Sequence, residues 1–363
     1  MSQQSVSPRS ITIEQSEWEK LQENPSSKDF VQIKLTMDGK TIDASLRHRG
    51  GHTIRYAKKS YEIRYKQGNS KAVRTLHWNA EYDDPSMMRN AFSFQFLNML
   101  GVYSPRTKHI ELELNGEAQG VYLEIEAVDR YFFKNRNLGW KSLVYASNDS
   151  ANFSMYDPYT YDVKVSLFEG YEKQLGDDNT KARLTAFIRN INQLDGSSLA
   201  KVLSNRLDTT FYLKWLAGAV LTGNFDGFEQ NYALYERSSN GKYRILPWDY
   251  EGTWGRNCYG RVCDSDIVDV KGYNVLTEKL FSFSNYRAEY KKILLEYLEN
   301  QFTLDALTPA IERMHGSIAD AIRRDYTRKH PFSVFESEPY IMRRYIVERR
   351  DIVYNELTNN WPD

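Results

Sequence analysis

The sequence predicts an α+β protein of two lobes, a β-rich N-terminal lobe followed by a mainly helical C-terminal one. Three observations carry this. Short alternating runs joined by the tight-turn pairs Asp38-Gly39 and Asn115-Gly116 dominate the first third of the chain. Apolar residues at helical spacing dominate its end, over 286–298, 307–324 and 339–357. A length of 363 residues with 41% hydrophobic content exceeds a small single domain and supplies a large core. The pattern changes near residue 130, so segments 1–130 and 131–363 are expected to form the two lobes.

Composition excludes several functions. Lys+Arg 48 balances Asp+Glu 48, and a net charge of zero suits neither a nucleic-acid-binding protein nor a membrane-surface one. No apolar run reaches the 18 residues of a membrane span. The start MSQQSVSPRS has no basic end leading into an apolar core, so no secretory signal is expected. The counts of Tyr 26 and Phe 17 predict an aromatic core. Cys258 and Cys263 are too few for a closed zinc site and read as two thiols, with a local disulfide as the alternative.

In chain order, Ser10 to Ile13 reads as a short strand and Ile13 to Leu21 as a helix. Val31 to Thr36 and Thr41 to Leu46 form a hairpin that leads into Arg47-His48-Arg49-Gly50-Gly51-His52-Thr53. Two glycines there could let main-chain N–H groups approach phosphates, and an ordinary turn fits equally. Lys58 to Tyr65 alternates strictly, with Lys59 on the face of Tyr61, Ile63 and Tyr65, and Lys58 on the polar face. A lysine on an apolar face needs a partner, a phosphate or the water beyond a strand end. Ser86 is expected to cap a helix to Leu100. His109 to Leu114 and Val121 to Ile125 form a second hairpin, which leaves through Glu126, Ala127, Val128 and Asp129. Leu143 to Ala146 reads as a strand, 148–161 as an Asp- and Asn-rich loop, and Lys181 to Leu194 and Leu199 to Leu203 as helices. The paired arginines near the C-terminus, Arg349-Arg350 among them, read as solvated helix faces.

The richest stretch is Phe211 to Gly255. An almost wholly apolar run ends at Gly223-Asn224, a helix stop. A loop with Asp226 and Asn231 follows, then a hairpin that ends on Trp248 and Asp249. This order is similar to the lower lobe of a protein kinase, where a loop Asp meets the acceptor hydroxyl, an Asn five residues on binds metal, and an Asp after the hairpin binds metal again. The lysine strand, helix, hairpin and exit segment before it follow the upper-lobe order of that fold, in which the exit segment is the hinge that binds adenine. The fold expected is therefore atypical and protein-kinase-like.

The segments RGGHTIRYAKKSYEIRY, DDPSMMRN, NGEAQGVYLEIEAVD and NFDGFEQNYALYE…ILPWDYEGTWG resemble the CotH family, spore coat kinases of endospore-forming bacteria. The resemblance runs from about Ile11 to the last helix. It implies an ATP- and Mg²⁺- or Mn²⁺-dependent serine kinase acting on spore coat proteins, made in the mother-cell cytoplasm and then held in the coat. It makes Asp226 the catalytic loop aspartate and Asp249 a metal ligand, with Asn231 at the asparagine spacing. Lys59 becomes the phosphate lysine, with Lys58 the fallback. Trp248 and Tyr145 would cover the two faces of adenine, and Glu126 lies at the hinge.

The departures are informative. Asn224-Phe225 replaces His-Arg before Asp226, and Asp249 is followed by Tyr250-Glu251, so Glu251 is either a further metal ligand or a solvated acid. The 86–100 helix has no Asp or Glu, so any acidic partner of Lys59 must come from elsewhere, with Glu124 and Glu126 as candidates. No activation segment ending in Ala-Pro-Glu is present, which implies constitutive activity. A non-catalytic nucleotide-binding scaffold and an adenylyl transferase are the alternatives.

Overall fold

The computed structural model describes residues 6–66 and 72–362, and only the backbone of residue 52. The polar start over 1–5 lies outside the described residues. The chain divides into two compact units. The first comprises Met1–Phe92, Pro105–Ala127 and Pro309–Tyr340, and the second Ser93–Ser104, Val128–Thr308 and Ile341–Asp363.

The first unit is built from β1 (Ser7–Thr12), α1 (Gln15–Glu23), β2 (Val31–Met37), β3 (Lys40–Arg49), β4 (Ser60–Lys66), β5 (Val73–Asn79), the start of α2 (Arg89–Met99), β6 (Thr107–Leu114) and β7 (Glu117–Glu126). The strands close into a barrel in the order β1-β2-β3-β4-β5-β7-β6. Sequence patterns predicted the hairpins but not the closure. It arises because β1 pairs antiparallel with β2 and parallel with β6, which removes both free edges. Asp38 and Asn115, each followed by glycine, adopt the left-handed backbone their turns require. Alternate residues fill the interior, among them Ile33, Leu35, Leu46, Ile63, Trp78, Ile110 and Leu112.

Ser86 caps the start of α2 as expected, its hydroxyl accepting from Met88 N at 3.1 Å, and Asp84 adds to that cap. The Asp84 carboxylate accepts from Ser86 N at 2.9 Å, Met88 N at 3.0 Å and Arg89 N at 2.9 Å. Met87 takes a left-handed φ of 57°, which delays the first helical residue to Arg89.

The second unit contains α3 (Arg130–Asn135), β8 (Trp140–Ala146), β9 (Tyr171–Leu175), α4 (Thr180–Gln193), α5 (Gly196–Arg206), α6 (Thr209–Thr222), β10 (Tyr232–Arg237), β11 (Tyr243–Pro247), α7 (Val275–Phe281) and α8 (Ser284–Asn300). Its sheet runs β11-β10-β8-β9. Two long helices, α9 (Leu304–Arg324) and α10 (Phe332–Asn355), divide their residues between the units. Within the second unit, α10 braces the end of α6. Tyr345 Oη donates to Leu221 O at 3.0 Å, and Arg349 Nε donates to Val220 O at 2.9 Å. Arg349 is therefore wholly buried rather than solvated, with its guanidinium donating to the Val220 and Ser265 carbonyls.

Pro309–Tyr340 joins the first unit through a strap between α9 and α10. There Asp325 accepts from Val121 N at 2.8 Å, Thr327 Oγ1 donates to Gln119 O at 3.0 Å, and Arg328 donates to Pro85 O at 2.9 Å. A wholly buried Arg89 adds ion pairs to Asp84 at 2.8 Å and to Glu338 of α10 at 2.6 Å.

Candidate active site

The site in the second unit grows from the C-terminal end of α6. That helix is buried on nearly all sides, as its apolar run predicts, and Asp208 caps its start. Gly223 ends it in the left-handed conformation (φ 70°), where a side chain would be strained. The chain then turns through Asn224 into a single 3₁₀ turn, Phe225–Gly227, that presents Asp226.

Asp226 and Asn231 are brought together. Asn231 Nδ2 donates to Asp226 Oδ2 at 2.9 Å, and Gln230 Nε2 donates to Asp226 Oδ1 at 2.9 Å. Burial raises the Asp226 carboxyl to about 6; the Gln230 hydrogen bond opposes this, and the negative charges of Asp249 and Asp149 add to it. Asn231 also joins two strands. Its N–H donates to Ala146 O at 3.2 Å, and its carbonyl accepts from Trp248 N at 3.1 Å. The ends of β8 and β11 thus meet at Asn231, and Asp249 follows one residue beyond Trp248. Asn231 and Asp249 both adopt left-handed backbone, at φ 57° and 58°. Asn and Asp tolerate that region better than other residues with a side chain.

The same sheet sets Tyr145 against Trp248, with ring centroids 5.9 Å apart and planes inclined by 22°. Tyr145 Oη donates to Val128 O at 2.8 Å, which fixes the phenol. Cys258 marks where the acids converge. Burial, then the charges of Asp226, Glu251 and Asp249, push its thiol up to about 12. Cys258 and Cys263 form no disulfide.

The donor chemistry suits a hard divalent ion that keeps water and substrate oxygens. Asp249 offers a carboxylate, and Asn231 commits its amide nitrogen to Asp226, leaving its amide oxygen as a donor. Among the described residues, no group of three or more His, Cys, Asp and Glu is arranged to enclose a metal. Asp249 and Asn231 would hold the ion, with Glu251 half-buried nearby.

In the first unit, the two adjacent lysines take roles that strand alternation did not foresee. Lys58, expected on the polar face, is the buried one at 6% exposure. Its ammonium donates to Asp325 at 2.9 Å and to Val121 O at 2.8 Å, and lies 4.7 Å from the Tyr122 ring centre. Regular β4 begins only at Ser60, so the period does not reach back to residue 58. Lys59 is half-buried, and its Nζ donates to Ile54 O at 2.7 Å, which ties it to the segment after the two glycines. Among the described residues Lys59 has no carboxylate partner. Glu124, one candidate for that partner, is held by Arg9 at 3.3 Å and Trp78 Nε1 at 3.0 Å. The other candidate, Glu126, ends β7 and accepts from Arg106 N at 3.1 Å. Beside Lys59, buried His48 is lowered to about 4 by desolvation and then by the lysine charge, so its imidazole stays neutral.

Sequence reasoning missed three groups around Asp226. Asp149 lies within its electrostatic reach, Glu229 is raised by burial and then by Asp149, and Tyr273 donates to Phe225 O. Asp149 stood in a loop noted only for its acidity, and its approach to Asp226 depends on contacts distant in sequence.

Residues 46–353 match the family model described as CotH kinase protein. The chain is 36% identical over 331 residues to inner spore coat protein H of Bacillus subtilis (strain 168), covering 91% of each. It is 27% identical over 304 residues to an inner spore coat protein H-like protein of the same strain, covering 84% of this chain and 87% of that one. Among solved structures, the Helicobacter pylori proinflammatory kinase CtkA aligns with TM-score 0.34 and 14% identity, over 82% of this chain and 94% of that one. A Shewanella oneidensis MR-1 HipA–HipB–operator DNA complex aligns with TM-score 0.30 and 12% identity, over 91% of this chain and 66% of that one. Those two scores do not establish a common fold. The family match and the identity to the spore coat relative do establish membership: the chain belongs to the CotH family.

Proposed function

We propose that this chain is an ATP- and Mg²⁺- or Mn²⁺-dependent protein serine kinase whose acceptors are spore coat proteins, acting in the mother cell during coat assembly and remaining with the coat. The observation that carries this reading is the Asp226–Asn231–Trp248 connection. It joins a carboxylate raised to about 6 to the residues that lead into Asp249.

The residues suit phosphoryl transfer, which needs positioning and charge neutralisation more than covalent chemistry. When bound, the metal–ATP complex supplies the phosphoryl group with its oxygens neutralised. Asp226 accepts the proton of the acceptor serine, and its raised pKa puts it close to the working pH of a general base. Asn231 and Gln230 hold that carboxylate in one orientation. Tyr145 and Trp248 offer aromatic faces to a base, Lys59 offers an ammonium to phosphate, and Glu126 lies in the segment assigned to the hinge.

The test is transfer of label from ATP to spore-coat extract in the presence of Mg²⁺ or Mn²⁺. Label from the γ-position on serine supports the reading. Label from the α-position instead identifies adenylyl transfer, and no transfer with ATP retained identifies a scaffold.

A further inference from the structure

The chain beyond Asp249 is held by hydroxyl groups. Thr253 Oγ1 donates to Tyr250 O at 2.7 Å, which folds the chain into a turn directly after the carboxylate residue. Ser93 Oγ lies 3.1 Å from Thr253 Oγ1, and Trp254 Nε1 donates to Ser93 Oγ at 2.8 Å. A hydroxyl has one proton to give, and Thr253 gives its proton to the Tyr250 carbonyl. Ser93 is therefore the donor to Thr253, and the indole N–H the donor to Ser93. A relay runs from Trp254 through Ser93 and Thr253 to the carbonyl of the residue that follows Asp249.

Ser93 lies on α2, in the part of that helix that belongs to the second unit. Ser93, Tyr250, Thr253 and Trp254 are all wholly buried. Aromatic rings enclose the relay: Trp254 packs on Phe96 and Phe302, with ring centroids 5.3 and 5.9 Å away, and Phe94 on Tyr250 at 6.1 Å. A hydroxyl in such surroundings is costly unless it is bonded, and a helical serine ordinarily bonds back to its own helix. Ser93 instead directs both of its bonds to the segment after Asp249. That segment is also fixed to α6, since Trp254 N donates to Thr222 O at 2.9 Å, four residues before Asp226. Because α2 carries no Asp or Glu, it can offer the site no ion pair of its own. We propose that Ser93 and Thr253 are positioning residues, through which α2 sets the place of the Asp249 carboxylate. The role given to Asp249 rests on the kinase reading.

The test is Mn²⁺ binding to the full chain with a non-hydrolysable ATP analogue, read by electron paramagnetic resonance, with thermal unfolding as the control. Ser93→Ala and Thr253→Val each remove one hydroxyl at nearly constant volume, and Thr253→Ser keeps it. Groups that orient metal ligands change affinity by about ten- to a hundredfold. The expected result is a loss of at least about tenfold in Ser93→Ala and Thr253→Val, with adenosine affinity unchanged and Thr253→Ser close to the wild type. Should either variant fail to fold, Ser93→Cys replaces it: its thiol is a weak donor of similar size, so Mn²⁺ affinity should again fall. Folded variants that bind Mn²⁺ as tightly as the wild type, while Asp249→Ala does not, overturn the relay and leave the kinase reading standing. An equal loss in Thr253→Ser and Thr253→Val also overturns it, because the hydroxyl would then be irrelevant. Absence of Mn²⁺ binding by the wild type with the analogue overturns both.

Discussion

Lys58 and Asp325, 267 positions apart, form a 2.9 Å ion pair in which the two side chains are 3% and 0% exposed. The pair fastens the strap between α9 and α10 to the barrel within the first unit. Gly120 makes room for it, since any Cβ there would overlap the Asp325 carboxylate. Burial works against the Asp325 charge, yet Lys58 and the hydrogen bonds from Thr327 and Val121 hold its carboxyl below the usual range.

Removing either member leaves a buried charge without its counterpart, which destabilises by about 3–5 kcal/mol. Asp325→Ala and Lys58→Met should each lower the urea midpoint accordingly, and the double variant should lose less than their sum. Because the folded carboxyl is lowered, its contribution is present above the unfolded value of about 4 and lost as pH falls through the folded one. The Asp325→Ala deficit should therefore shrink in acid.

Asp226 behaves in the opposite sense. Its folded pKa of about 6 lies above the unfolded value, so the protonated form is favoured by folding and the ionised form is disfavoured. Transfer should fall as pH drops below about 6, tracking loss of the base, and Asp226→Asn should reduce it by about 10²–10⁴ at pH 7.5. In unfolding experiments, the difference between Asp226→Asn and wild type should shift towards the variant by about 1–2 kcal/mol between pH 4 and pH 8, after allowance for partial exposure. A difference independent of pH would mean that the carboxyl titrates normally.

Asp249→Ala should abolish metal-dependent transfer, by at least about 10²-fold, while the thermal midpoint stays close to wild type. Excess chelator should have the same effect on the wild type and should be reversed by added Mn²⁺.

Tyr145 and Trp248 stack with centroids 5.9 Å apart, whereas two van der Waals layers around an inserted base need about 7 Å. Binding should part the rings by about 1 Å. Trp248→Ala should weaken ATP and adenosine alike by about 1–3 kcal/mol, read by calorimetry. Tyr145→Phe keeps the ring and loses the hydroxyl's bond to Val128 O, so its effect should be several-fold smaller.

Much of the candidate site was legible because its parts lie close in sequence. The run from Phe211 to Leu221 could only be a buried helix, Gly223 could end it, and the next two dozen residues had to present Asp226, Asn231, Trp248 and Asp249 on one loop and one hairpin. Local periodicity and turn chemistry act over such distances. The tertiary structure decided the rest. Alternation could not show where β4 begins, so it exchanged the environments of Lys58 and Lys59. Nothing near Lys58 in sequence pointed to Asp325, nothing near Asp226 pointed to Asp149, and nothing in β1 pointed to β6. Burial and charge pairing depend on which segments meet in space, and a one-dimensional pattern carries no term for that.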